Sequence, residues 1–197
     1  MDEKHDAAAS RDSAPKRKRA PRDPEGRKRA IVEAAAEIIG TEGSHRLTHR
    51  SVAQRAGVPL GSTTQYFENI GELRRAGIAA LQEYIEADYD AMFADVERLG
   101  GTPDAIAEVI NAYLADTKQV KFDTAFYFAA LEDPAVRTLA KQAFEMSVRR
   151  CLPYMDEKKA IALSALLDGA MVDTALHDAP LDPDVVTFAV KAIVEAA

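Results

Sequence analysis

The stretch from Thr48 to Phe67 limits the fold more than any other part of the chain. Two short segments flank Ala56-Gly57-Val58, and each is too short to stand as a helix in water, where fewer than about 12–15 residues is marginal. Both must therefore pack against something longer. Thr48 is a natural N-cap and predicts a helix from His49 to Arg55, with Val52, Ala53 and Ala56 inward. Gly57 allows a tight turn with positive φ. A second short helix is expected from roughly Pro59 to Tyr66. Helix, glycine turn, short helix is a helix-turn-helix. Leu60, Gly61, Ser62, Thr64 and Gln65 form the expected outer face of the second helix. Short side chains of this kind suit a major groove about 12 Å wide.

The rest of the chain reads as helices. One is expected from Pro24 to about Thr41, capped by Asp23, with Ile31, Ala34, Ala35, Ile38 and Ile39 on one face. Asn69 with Glu72 three residues on marks a capping box. It opens a long helix with Leu73, Ile78, Leu81, Tyr84, Ile85, Met92, Phe93 and Val96 as apolar positions, closed by Leu99-Gly100-Gly101. Thr102-Pro103, Asp133-Pro134 and Asp182-Pro183 begin further helices, and another is expected from about Asp156 to Leu176. No strand alternation and no repeat are visible. The expected fold is all-α, about nine helices: a basic arm without fixed structure over 1–22, a helix-turn-helix domain over 23–69, and a helical bundle over 70–197.

The net charge of −7 conceals a division. Residues 1–75 carry 15 Lys and Arg against 11 Asp and Glu, whereas residues 76–197 carry 10 against 21. A basic front and an acidic remainder imply that only the front meets phosphate. Lys16, Arg17, Lys18 and Arg19 are either a solvated charge run or an arm that neutralises phosphates or enters a minor groove. Cys151 is the single cysteine, and the four histidines have no zinc-site spacing, so neither a disulfide framework nor a metal is expected. No cofactor is implied. The chain lacks an apolar leader or a run of about 18 consecutive apolar residues, and a cytoplasmic location without membrane contact is expected.

From Arg29 to Leu73 the chain resembles the TetR family of bacterial transcriptional regulators. The likeness rests on Gly43, Leu47-Thr48, Val52-Ala53-Gln54-Arg55-Ala56-Gly57-Val58, Gly61-Ser62-Thr63-Thr64-Gln65-Tyr66-Phe67 and Glu72-Leu73. Two positions depart from the family pattern: Thr64 stands where a Tyr is usual, and Ile70 where a Lys is usual, which removes a phosphate-binding charge.

The resemblance implies DNA contacts from Thr48, His49, Arg50, Leu60, Gly61, Ser62, Thr64, Gln65 and Tyr66. Arg50 suits a guanine edge or a phosphate equally, and Gln65 suits adenine. Leu60 suits a thymine methyl. His49 also reads as a solvated side chain, and Tyr66 as partly buried; Thr63 is expected to pack. The resemblance further implies a homodimer whose last two helices pair with their copies, here through Ile161, Ala165, Leu166, Gly169, Phe188 and Ile193. Met92, Tyr113, Phe122, Phe126, Tyr127, Phe144 and Met146 either form ordinary core or line a mostly apolar cavity for a small effector of unknown identity, with Asp116 and His177 as possible polar contacts. The implied function is a regulator, by family default a repressor, that binds a pseudo-palindromic operator on double-stranded DNA. An enzyme is disfavoured because no nucleophile–base pair, phosphate loop or metal spacing exists. A helical interaction module that has lost DNA binding is the other rival.

Overall fold

The structure is a computed structural model and describes residues 23–196. The basic run Lys16–Arg19 lies outside the described residues. In chain order come α1 (Pro24–Glu42), a 3₁₀ turn (Ser44–Arg46), α2 (His49–Arg55), α3 (Leu60–Tyr66), α4 (Ile70–Arg98), α5 (Pro103–Ala115), α6 (Thr117–Glu132), α7 (Pro134–Cys151), α8 (Glu157–His177) and α9 (Pro183–Val194). Among the described residues there are nine α-helices and no strand.

Local chemistry starts these helices. Every one except α3 opens on an Asp, Asn or Thr whose side chain accepts a backbone N–H of the first turn, satisfying a donor that has no partner inside the helix. Proline occupies the first turn of α1, α5, α7 and α9. Asn69 accepts from the Glu72 N–H at 3.0 Å, but the Glu72 carboxylate accepts from the Glu68 N–H at 2.8 Å, so the reciprocal bond falls one residue before the cap. Asp116, weighed as a pocket contact, instead caps α6 through Gln119 N–H at 3.1 Å.

Apolar burial forms two cores. The first joins Ile31, Ile38 and Ile39 of α1 with Val52, Phe67, Leu73 and Leu81, and extends to Phe126 of α6 and Leu139 of α7. The second joins Val96, Ile110, Leu114, Leu163, Met171 and Val190 from α4, α5, α8 and α9. Helices α4, α6 and α7 run through both. The helix-turn-helix therefore shares its core with the bundle that follows it.

Two glycines carry the placement of the head. Gly57 has φ 64° and ends α2 with a paired hydrogen-bond pattern, Val58 N–H to Ala53 C=O at 3.0 Å and Gly57 N–H to Gln54 C=O at 3.3 Å, which is a Schellman motif. Gly77 lies where α4 crosses α1: a Cβ there would stand 2.8 Å from Ile39 Cδ1 and 3.2 Å from the Ala35 carbonyl carbon.

A Gly77→Ala variant is expected to lose about 1–3 kcal/mol by overpacking, against a helix-propensity gain of at most about 1 kcal/mol. The urea midpoint should therefore fall; an unchanged or raised midpoint would refute the close approach. Nothing lies within 4 Å of a Cβ at Gly57, so Gly57→Ala should cost only the left-handed backbone, about 1–2 kcal/mol. Gly57→Asn should cost less, because Asn tolerates that conformation.

Candidate functional site

The recognition surface is built from the inside outward. Val52 and Thr63 are fully buried and Phe67 nearly so, which seats α2 and α3 on α1. Thr48 Oγ1 accepts from Ser51 N–H at 2.9 Å, and Ser51 Oγ accepts from Thr48 N–H at 2.9 Å. Serine here plays the part usually given to Glu or Gln in a capping box. Arg55 reaches back to α1, bonding Glu37 at 2.7 Å and Glu42 at 2.6 Å. These half-exposed pairs are worth under about 1 kcal/mol each, but they orient α2.

The same packing decides which side chains face outward. Leu60, Gly61, Thr64 and Gln65 are exposed on α3, with Leu60 at 52 %. Arg50 on α2 and Thr48 are exposed too, and Arg50 makes no ion pair among the described residues. Ser62 was expected on the outer face, yet it is buried at 7 % exposure. It precedes the packing residue Thr63, and both side chains are buried on the inner part of α3. Tyr66 is half-buried against the first core.

His49 is half-buried, its Nδ1 3.2 Å from Thr63 Oγ1. The Thr63 hydroxyl donates to Leu60 C=O at 2.8 Å. That proton being committed, His49 Nδ1–H is the donor to Thr63, and its Nε2 is left as an acceptor when the ring is neutral. His49 thus ties the start of α2 to α3, a role beyond the one the sequence suggested. Arg75 was missed by the sequence reading: its Nη1 stands 3.8 Å from the Cβ position at Gly71, so a cation folds back to the start of α4 beside Ile70.

On the opposite end, α8 and α9 present an apolar outer surface. Phe188 is 74 % exposed, Ile161 is 45 % exposed, Ala165 and Gly169 are exposed, and Leu166 and Ile193 are half-buried. Ala170 and Val190 of the same two helices are buried in the protein's own core. An 18-residue stretch of α8 has a mean hydropathy of 1.3, high enough to span a membrane by length and composition. Its apolar residues are divided between an inward face (Ala160, Leu163, Met171) and this outward one.

Two small adjacent cavities lie between these ends. Between Leu81 and Val96 no residue of α4 is fully buried. The first chamber, about 50 Å³, is lined by Met92, Tyr113, Phe126 and Tyr127 from the expected set, together with Tyr84, Asp88, Tyr89 and Asp123. The second, about 30 Å³, is lined by Phe93, Ile110, Ser147 and Cys151 among others, and shares Tyr89, Met92 and Leu167 with the first. Three expected residues lie elsewhere. Phe122 packs edge-on against Tyr84 at 5.7 Å and borders neither chamber. Phe144 faces a surface groove with Leu131 and Lys141, and Met146 a groove with Gln82 and Glu86. On α7 the inward positions are Ala143 and Ser147, and a 100° step per residue carries 144 and 146 to either side. His177 is exposed and pairs with Asp173.

Tyr113 donates to Asp123 at 2.8 Å, and Gln119 donates to the same carboxylate at 3.0 Å. Burial pushes the Asp123 pKa up to about 6, although these two donors pull it down. Burial also raises Asp88 and Asp168, and it moves Tyr89 up to about 12. The Cys151 thiol is pushed up to about 11 by burial and stays protonated and unreactive at neutral pH.

No protein-family model matches the chain. The regulator BetI of Klebsiella pneumoniae (strain 342), described as an HTH-type transcriptional regulator, is 27 % identical over 175 residues, covering 79 % of this chain and 86 % of BetI. The solved structure of a TetR family member from Streptomyces coelicolor, SCO1917, is 30 % identical with TM-score 0.66, covering 85 % of this chain and 98 % of that one. The multidrug binding protein EbrR complexed with malachite green is 31 % identical with TM-score 0.67, covering 87 % and 99 %. The all-helical order, the exposed α3 and these full-length likenesses agree, and the chain belongs to the TetR family of transcriptional regulators.

Proposed function

We propose that the chain is a repressor that binds a pseudo-palindromic operator as a homodimer and is released by a small, mostly apolar effector. The observation that carries this is the outward face of α3. Leu60, Gly61, Thr64 and Gln65 stand free while their neighbours Ser62 and Thr63 are locked inward. In this reading Gln65 and Arg50 meet base edges, Leu60 meets a thymine methyl, and Thr48, Thr64 and Tyr66 meet phosphates. Arg75, together with the N–H groups at the start of α4, supplies a positive end where Ile70 supplies none. The basic segment 16–19 adds phosphate charge. A cytoplasmic location follows from the DNA partner.

The exposed apolar face of α8 and α9 supports pairing of two copies into a four-helix bundle, which would set two α3 helices about 34–36 Å apart. The adjacent chambers support an effector, as does EbrR, a relative that accommodates malachite green. Occupancy can favour release only if the effector binds the release-competent arrangement better than the DNA-bound one. At 50 and 30 Å³ the chambers must widen for a drug-sized guest, and that widening is where such a difference would arise.

Operator fragments recovered genome-wide with the purified protein, then measured by mobility shift at several salt concentrations, test the reading. Arg50→Ala and Gln65→Ala should each weaken operator binding by about 1–3 kcal/mol and leave random-sequence binding nearly unchanged. Equal losses on both DNAs would overturn the base-reading roles. For the dimer, Phe188→Asp should turn the particle monomeric in analytical ultracentrifugation and abolish operator shifts, with helical content unchanged by circular dichroism. A variant still dimeric at micromolar concentration would place the interface elsewhere.

A further inference from the structure

The first chamber holds charge that the protein does not neutralise. Asp88 of α4 and Asp123 of α6 both line it, and Asp168 of α8 lies beside the Tyr127 hydroxyl. None of the three pairs with Lys, Arg or His among the described residues, and neither chamber has a cationic side chain in its lining. The donors that reach Asp123, from Tyr113 and Gln119, are neutral. They satisfy lone pairs but leave the negative charge in a desolvated place, where it is costly without a counter-charge.

The walls around that charge are aromatic. Tyr84, Tyr89, Tyr113, Phe126 and Tyr127 enclose the chamber, and ring faces attract a cation within about 6 Å of their centres. The second chamber has a different character. Its lining is apolar apart from a few groups, and its two serines bond one another at 2.9 Å, Ser147 to Ser164, rather than awaiting a guest. Tyr89, Met92 and Leu167 border both spaces, so a movement of these side chains would open one to the other. A single water needs roughly 10–15 Å³ of such free space, so the 50 Å³ chamber as it stands admits a group of about four heavy atoms and the 30 Å³ chamber about two or three, and both must widen to take a longer chain.

We infer that the paired chambers take an amphiphilic organic ammonium ion, its head among the tyrosines against Asp123 and Asp88, its short apolar tail beside Phe93 and Ile110. This rests on the effector reading above and names the effector's charge and shape. An anionic guest meets carboxylates and no cation. A neutral guest fills space but leaves those carboxylates uncompensated. The raised pKa of Asp123, about 6, is the cost that a cationic guest removes.

The test is isothermal titration of the full-length protein with three probes of matched chain length, hexyltrimethylammonium, 1-hexanol and hexanoate. The ammonium is expected to bind roughly tenfold or more tighter than the alcohol, the scale of a charge-assisted contact with ring faces, and hexanoate more weakly than either. Asp123→Asn should remove most of that preference while leaving the alcohol's affinity unchanged. Should that variant melt early, Asp88→Asn reads the same quantity. Ile110→Trp should erase the advantage of hexyltrimethylammonium over tetramethylammonium by filling the tail chamber. Ammonium and alcohol binding alike, with no response to Asp123→Asn, would overturn the inference and leave the effector cavity standing. If none of the probes binds and none loosens the operator complex, the inference and the effector reading fall together.

Discussion

The contact on which the rest of the molecule depends is the crossing of α1 over α4 at Gly77. Ala35 and Ile39 approach the α4 backbone so closely there that a Cβ would force both to shift. That crossing joins Ile31, Ile38 and Ile39 to Leu73 and Leu81 in a single core, and α2 and α3 are seated in the same core through Val52 and Phe67. Close-packed interiors move as bodies rather than deform, so the aim of α3 follows the tilt of α4. Sixteen ångströms or so farther along the same helix, by the helical rise between Gly77 and Asp88, α4 becomes the wall of the cavity. One element therefore borders both the proposed effector and the reading head.

A second joint limits how the head can turn. Asp133 is buried where α6 ends and α7 begins; its carboxylate accepts from the Ser44 N–H of the 3₁₀ turn and from the Ala135 N–H. Burial works to raise its pKa, but these backbone donors outweigh it and hold the carboxyl below its ordinary value. Nearby, Leu81 of α4 and Phe122 of α6 both border Gly40 of α1. The head is thus held by α4 on one side and by α6 and α7 on the other. All three helices contribute to the chamber lining. A guest that spreads them cannot leave both joints unchanged, which gives the proposed release a mechanical route without any flexible relay.

Helix starts were legible because they depend on neighbouring residues: an Asp, Asn or Thr followed by free N–H groups, often with Pro, signals the same thing in any fold. Gly57 was legible for a similar reason, since its φ of 64° answers a need visible in the spacing of the two short helices. The cavity was less so. Periodicity selected aromatic residues and found Met92, Tyr113, Phe126 and Tyr127, but it could not distinguish Phe144 and Met146, one helical step to either side of the inward line through Ala143 and Ser147. Asp88 and Asp123 were passed over because a carboxylate on an amphipathic helix usually faces water. Only the folded arrangement, which leaves a cavity bordered by both α4 and α6, shows them turned toward free space. Ser62 failed for a related reason: its size suited the outer face, and helical phase overruled size.

The charge division acquires a sharper meaning once the head is seen. Residues 23–75 hold eight Lys and Arg against seven Asp and Glu, whereas residues 1–22 hold seven against four. Within the head, Arg55 is already paired with Glu37 and Glu42, and the cation the family usually carries at the start of α4 is replaced by Ile70. Base edges provide discrimination, but phosphate neutralisation provides much of the affinity and its salt dependence. A head so nearly neutral can select a sequence yet has little charge with which to hold it. In the proposed complex, then, the surplus positive charge of the first 22 residues has to supply a large part of the grip while α3 supplies the choice. In that complex the acidic bundle behind them would repel the duplex and restrict the direction of approach.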